Sequence, residues 1–202
     1  MRTVRQLAVA IAVVALAVTT LAPVLVAQDL HPSRRPSPMG MARTTLDDTY
    51  VSVVYSRPYK RGRDNIFGTE ESGALVPFGK LWRTGANEAT QLTTTGDLVV
   101  AGQSLPAGTY SVFTTPGPEQ WKVHFNSALG LSGTVRFNPE TRKAEEGYTP
   151  ENDVLVVTVP SGSTEEEVDQ FTISFDATDG GADMVLRWIN TEVRVPVAPA
   201  GS

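Results

Sequence analysis

"QWKVHFN", residues 120–126, alternates without a break: Trp121, Val123 and Phe125 fall on one side of an extended chain, Lys122, His124 and Asn126 on the other. Successive strand side chains point to opposite faces, so the stretch is a strand with one face in a core and one toward water. The same period runs through "YVSVVYS" (50–56), "TYSVF" (109–113), "FTISF" (171–175), "MVLRW" (184–188) and "VRVPV" (193–197). "VLVVTV" (154–159) is almost wholly apolar, which predicts a central strand covered on both faces. Turn signals lie between these segments: Thr95-Gly96-Asp97, Pro106-Ala107-Gly108, Pro116-Gly117-Pro118 and Asp179-Gly180-Gly181. Only "STEEEVDQ" (163–170) opens like a helical turn. About eight to ten short strands at this spacing predict an all-β single domain, an antiparallel β-sandwich or a β-barrel-like fold.

Ahead of the strands the chain reads differently. Arg2 and Arg5 precede a charge-free, mostly apolar run from Leu7 to Val26, which reads as an export signal at 1–27 with cleavage near Ala27. A run of this length raises an uncleaved membrane anchor as the rival, and membrane association is expected only through it. "QDLHPSRRPSPMGMARTT" carries three Pro, two Ser and a Gly without apolar periodicity, so 28–47 is expected as a flexible arm, 48–197 as the β domain and 198–202 as a tail. The location expected is periplasmic or extracellular. Without Cys, the chain has no disulfide framework and no acceptor for a lipid anchor, and the domain must stand on its core.

The net charge of −5 deepens to −7 once the two signal arginines are gone, so nucleic acid is not an expected partner. The charge is uneven. Residues 57–83 hold six Lys/Arg against three acids, whereas residues 84–202 hold six against sixteen. The sequence carries no serine-hydrolase elbow, no H-E-x-x-H, no phosphate-binding loop and no dinucleotide fingerprint, so no cofactor or metal is expected. Any histidine-based chemistry would run through His124, since His31 lies in the arm. Asp176, Asp179 and Asp183 in "DATDGGAD" could offer oxygens to calcium, but Asp and Gly are what a turn there requires anyway.

"LVPFGKLWRTGANEAT" (75–90) is the densest polar knot in the chain, with Trp82, Arg83, Gly85, Asn87 and Glu88 close together. If Leu92 faces the core, Glu88 on the same strand face is carried inward and needs a cation. Arg83, across the Gly85 bend, is the nearest in sequence. This predicts a turn lock: an Arg83–Glu88 pair, Asn87 bonding the bent backbone, and Trp82 covering them. The same residues also compose a ligand site, in which Arg57, Lys60, Arg63, Lys80 and Arg83 grip a carboxylate or phosphate beside Tyr55 or Trp82.

"YSRPYKRGRDNIFG", "GALVPFGKLWRTGANEAT", "LPAGTYSVFTTPG" with "EQWKVHFN", and "LRWINTEVRVPV" together make the chain resemble a bacterial exported family known only as domain of unknown function twenty-nine eleven, over roughly residues 48–197. The resemblance implies export and a mostly β domain, and no activity or ligand.

Three functions follow as expectations. The first is a non-enzymatic exported β-sandwich that binds a small anionic or polar ligand, or a protein partner, through Arg57, Arg63, Lys80, Trp82, Arg83, Asn87 and Glu88. The second is a hydrolase or isomerase with Glu88 as acid or base and His124 nearby. The third is a purely structural module. Oligomeric state is left open.

Overall fold

A computed structural model describes residues 34–201; the expected signal segment, 1–27, lies outside them. The chain runs through β1 (Met39–Leu46), β2 (Thr49–Ser56), the two-residue strands β3 (Phe67–Gly68) and β4 (Val76–Pro77), β5 (Thr90–Thr94), β6 (Leu98–Val100), β7 (Gln103–Leu105), β8 (Gly108–Thr115) and β9 (Gln120–Asn126). There follow β10 (Val135–Asn138), β11 (Lys143–Glu146), a 3-10 turn at Pro150–Asn152, and two long strands, β12 (Asp153–Thr178) and β13 (Gly181–Pro199).

Nine strands form one antiparallel ladder in the order β1-β2-β5-β8-β9-β12-β13-β6-β7. No pairing joins β1 to β7, so the ladder is not a closed barrel. It doubles over because β12 serves two partners. Residues from Asp153 to Pro160 pair with β9, and those from Ser161 to Thr178 pair with β13. Register shifts between Ser163 and Val168, and again between Val168 and Thr172, bend the strand, as extra residues in a ladder do. The far half of β12 thereby returns to the chain leaving β2. There the Tyr55 hydroxyl donates to the Ile173 carbonyl and accepts from the Ile173 N–H, and Phe171 N–H donates to Pro58 O. Apolar side chains of both parts of the ladder meet in one core, with Trp82, Trp121, Trp188, Phe67 and Phe171 in mutual ring contact at its centre.

Three local expectations are corrected. Residues 39–46, read as part of an arm, form edge strand β1, paired along its whole length with β2 and burying Ala42 and Leu46. The ladder supplies the order that its weak apolar pattern does not. "STEEEVDQ" is extended within β12, its three Glu exposed; it has no apolar stripe for a helix to bury. "VLVVTV" is covered on one face only. Leu155, Val157 and Val159 are buried, whereas Val154 and Val156 are 46% and 37% exposed. Valine suits a pleated surface through its branched Cβ, so an apolar run there does not require two-sided burial.

A second, smaller apolar group sits on the outer face of the ladder, where Phe113 and Ala89 are roofed by Ala128 and Leu131, with Leu81 and Tyr148 beside them. That roof touches both the 82–90 loop, where Ala89 N–H donates to Leu131 O, and His124, beside Tyr148.

Candidate functional site

The knot is a bulged continuation of β5 along β8. Trp82 pairs through its backbone with Thr114, and the chain then loops out before Thr90 resumes the ladder opposite Val112. The loop is built from unusual backbone: Thr84 (φ 55°), Gly85 (φ 150°) and Asn87 (φ 57°). Thr84 is β-branched and fully buried, and a positive φ there costs energy that its surroundings must offset. Its hydroxyl donates to Thr114 Oγ1, and its carbonyl accepts from Thr90 Oγ1. Gly85 is required twice over, since a Cβ at that position would lie 2.7 Å from Ser56 O.

The side chains do not pair as the sequence suggested. Arg83 does not bond Glu88: its Nη1 donates to Asn87 O at 3.0 Å, and the guanidinium lies against Gly133, where an added Cβ would come within 3.1 Å of Nη1. Glu88, half-exposed, forms its ion pair with Arg35. Partial burial works to raise the Glu88 carboxyl, but the Arg35 guanidinium outweighs it and holds the group below the ordinary glutamate value of 4.5. Asn87 does bond the bent backbone region, its Nδ2 donating to Ser37 O and Ser56 Oγ. Trp82 is a core residue whose Nε1 donates to Gly85 O.

The basic run disperses. Arg57 donates from Nε to Phe171 O and from Nη2 to Thr172 Oγ1, clamping β2 to β12. Lys60 pairs with Glu167 and Asp64, Arg63 donates to Tyr59 O, and exposed Lys80 pairs with Glu70. Asp176 and Asp183 face each other across the β12–β13 hairpin and both accept from Arg194, and Asp179 sits in the turn. Among the described residues no cluster of His and carboxylates is arranged to hold a metal.

One cleft remains beside the knot, about 540 Å³ in volume, bounded by Trp82, Trp188 and Val76 on its apolar side and by Arg83, Asn87 and Ser132 on its polar side. Of the seven residues expected to bind a ligand, Trp82, Arg83 and Asn87 line it. Among the described residues Arg83 has no carboxylate partner, so the cleft carries a cation satisfied only by a neutral carbonyl. Trp188, Ser132 and Gly133 are distant in sequence and left no signal there; they arrive through the ladder and the outer roof.

His124 belongs to a different group. Its Nδ1 lies 2.9 Å from Asp153 Oδ2 and its Nε2 lies 3.1 Å from Thr115 Oγ1. Asp153 accepts as well from the Tyr148 hydroxyl and from Asn126 Nδ2, both within hydrogen-bonding distance. Burial, reinforced by the hydrogen bond to the Asp153 carboxylate, pushes the Tyr148 phenol well above the ordinary tyrosine value. The sequence singled out His124 alone. Nothing in spacing linked it to an aspartate at the head of another strand.

No curated protein and no solved structure matches the chain. The sequence profile of one family does match, over residues 37–197, and its description is a protein of unknown function, DUF2911. That span takes in β1 as well as the strands legible in the sequence, and a chain matched over so much of its length belongs to this family.

Proposed function

We propose that this chain is an exported binding protein for a small anionic ligand with an apolar portion, held in the cleft between Trp82, Trp188 and Arg83. The observation that carries this reading is Arg83 itself: a guanidinium at the wall of a cleft with one apolar side, with a backbone carbonyl as its hydrogen-bond partner and Glu88 engaged elsewhere. A guanidinium keeps five donors in a rigid fork, and one bond to Asn87 O leaves the others for a carboxylate or phosphate. Leu75 and Val76, with the parts of Trp82 and Trp188 that reach the cleft, supply the apolar side that such pockets use for the remainder of a ligand. Strained backbone at Thr84 and Asn87 is consistent with a loop held for recognition. Export is supported by the basic, then charge-free apolar, beginning of the sequence. The ligand is therefore sought outside the cytoplasm.

Tryptophan fluorescence tests the reading directly, because two of the three indoles line the cleft. Aromatic and aliphatic carboxylates and phosphate monoesters should give saturable changes that weaken with salt. Their neutral amides and alcohols should not, and R83M should abolish the response while keeping the wild-type far-UV spectrum. Equal binding of neutral analogues, or an unaltered response in R83M, would overturn it. If R83M instead loses stability and no anion binds the wild type, Arg83 is a lock for the 84–89 loop alone.

A further inference from the structure

We infer that Thr115, His124 and Asp153 form a hydroxyl-activating relay on the outer face of the ladder, able to transfer the acyl group of a small ester to water. The inference is independent of the Arg83 cleft, since none of the three residues lines it.

The geometry begins with adjacent strands. Trp121 and Val123 are buried, so Lys122 and His124 of β9 face outward, and on β8 Thr115 pairs in register with Lys122. Asp153 opens β12 on the other side of β9, opposite Asn126. A carboxylate with Tyr148 and Asn126 already donating to it can only accept, so the Asp153–His124 contact requires a proton on Nδ1. In the neutral ring Nε2 then carries the lone pair, and the Thr115 hydroxyl, 3.1 Å away, donates to it. A hydroxyl hydrogen-bonded to a neutral imidazole, whose other nitrogen is held by a carboxylate, is the arrangement that activates an alcohol as a nucleophile.

The surroundings suit a small, uncharged acyl donor. Val154 and Val156 form an exposed apolar shelf on the same outer face, and Val156 is the register partner of His124. Exposed Lys122 is the register partner of Thr115, a cation on the neighbouring strand of the same outer face. In the reaction, Thr115 Oγ1 adds to the acyl carbon and its proton passes to Nε2. The acyl C–O bond then breaks, and the leaving alkoxide takes that proton. Water repeats the sequence on the Thr115 ester, releasing the carboxylic acid and restoring the hydroxyl. Thr115 and His124 are the catalytic residues, and Asp153 is a positioning residue.

The probe is p-nitrophenyl acetate with the full chain. Hydrolysis should exceed the buffer rate and pass through an acetyl adduct, trapped at low pH and mapped by mass spectrometry to Thr115. T115V and H124Q should lose about 100-fold or more, the scale of general-base assistance, while T115S stays active. D153N should lower kcat while leaving KM and the far-UV spectrum near wild type, because the imidazole loses the carboxylate that orients it. A merely structural Asp153 would lose activity only in step with stability. If T115V fails to fold, H124Q and T115S decide the matter. Wild-type hydrolysis at the buffer rate, undiminished hydrolysis in T115V or H124Q, or an adduct on Lys122 instead of Thr115 would each overturn the inference.

Discussion

Glu88 closes its ion pair on Arg35, 53 residues away in the chain, while nearby Arg83 turns to the carbonyl of Asn87. The contact ties the strap ahead of β1 to the loop that walls the cleft, Asn87 Nδ2 to Ser37 O reinforces it, and Arg61 Nη2 to Pro36 O fastens the same strap to the segment after β2.

Arg35 and Glu88 side chains are 20% and 52% exposed, so solvent screens the pair and R35M or E88Q should each cost under about 1 kcal/mol. The sign of its pH dependence follows from the lowered Glu88 carboxyl. Its contribution is present above the ordinary value of 4.5 and is lost as pH falls through the lower folded value. Denaturant titrations of wild type and E88Q should therefore differ near neutral pH and converge in acid. A gap that widens below pH 4.5 would show the pairing to be wrong.

Removing residues 34–46 should unfold or aggregate the domain, although their composition suggests a dispensable arm. The deletion strips the whole partner of β2, leaves its backbone groups as an open edge, and uncovers the core beside Ala42 and Leu46. Light scattering and thermal melts of the truncated chain check this. A monomeric product with a wild-type melting temperature would contradict the role of β1.

Gly85→Ala should destabilise by about 1–3 kcal/mol, because the new methyl meets Ser56 O at 2.7 Å in a backbone conformation that side chains rarely adopt. The loss should come with altered amide shifts around Ser56 and Thr90. A substitution at Gly79, where φ is 76° but nothing lies near an added Cβ, isolates the conformational part of that cost.

Tyr55→Phe should cost about 1–3 kcal/mol at neutral pH, since it leaves the buried Ile173 N–H and carbonyl without their shared partner. In the native chain burial raises the Tyr55 phenol above its ordinary 10.0, although the Ile173 backbone bond and Arg57 pull it down. Stability from the neutral phenol is thus present below 10.0 and lost as pH rises through the folded value. The wild type should lose its advantage over Y55F above that pH. An advantage that grows in alkali would exclude the buried neutral phenol.

Much of the fold was legible because strand alternation is local. Trp121, Val123 and Phe125 are buried and Lys122 is exposed, as the spacing of "QWKVHFN" requires, and the antiparallel all-β class follows from such stretches and the turns between them. β1 was not legible: only Ala42 and Leu46 of its eight residues are buried, and its order comes from hydrogen bonds to β2 that any sequence can make. The 26 residues of β12 were read as separate pieces, because the bulges between Ser163 and Thr172 interrupt the alternation where the strand changes partners.

By itself the sequence determined the faces of the alternating strands, the bend at Gly85 and the concentration of polar groups from Trp82 to Glu88, all of which depend on neighbours along the chain. Tertiary structure alone decided who pairs with whom. Arg83 and Glu88 sit close in sequence, but the positive φ at Thr84, Gly85 and Asn87 turns the intervening loop and carries each side chain to a different partner. Thr115, His124 and Asp153 come together only because β8, β9 and β12 lie side by side. Polar contacts are short-ranged and directional, so their partners are set by strand register and loop path, which no spacing along the chain encodes.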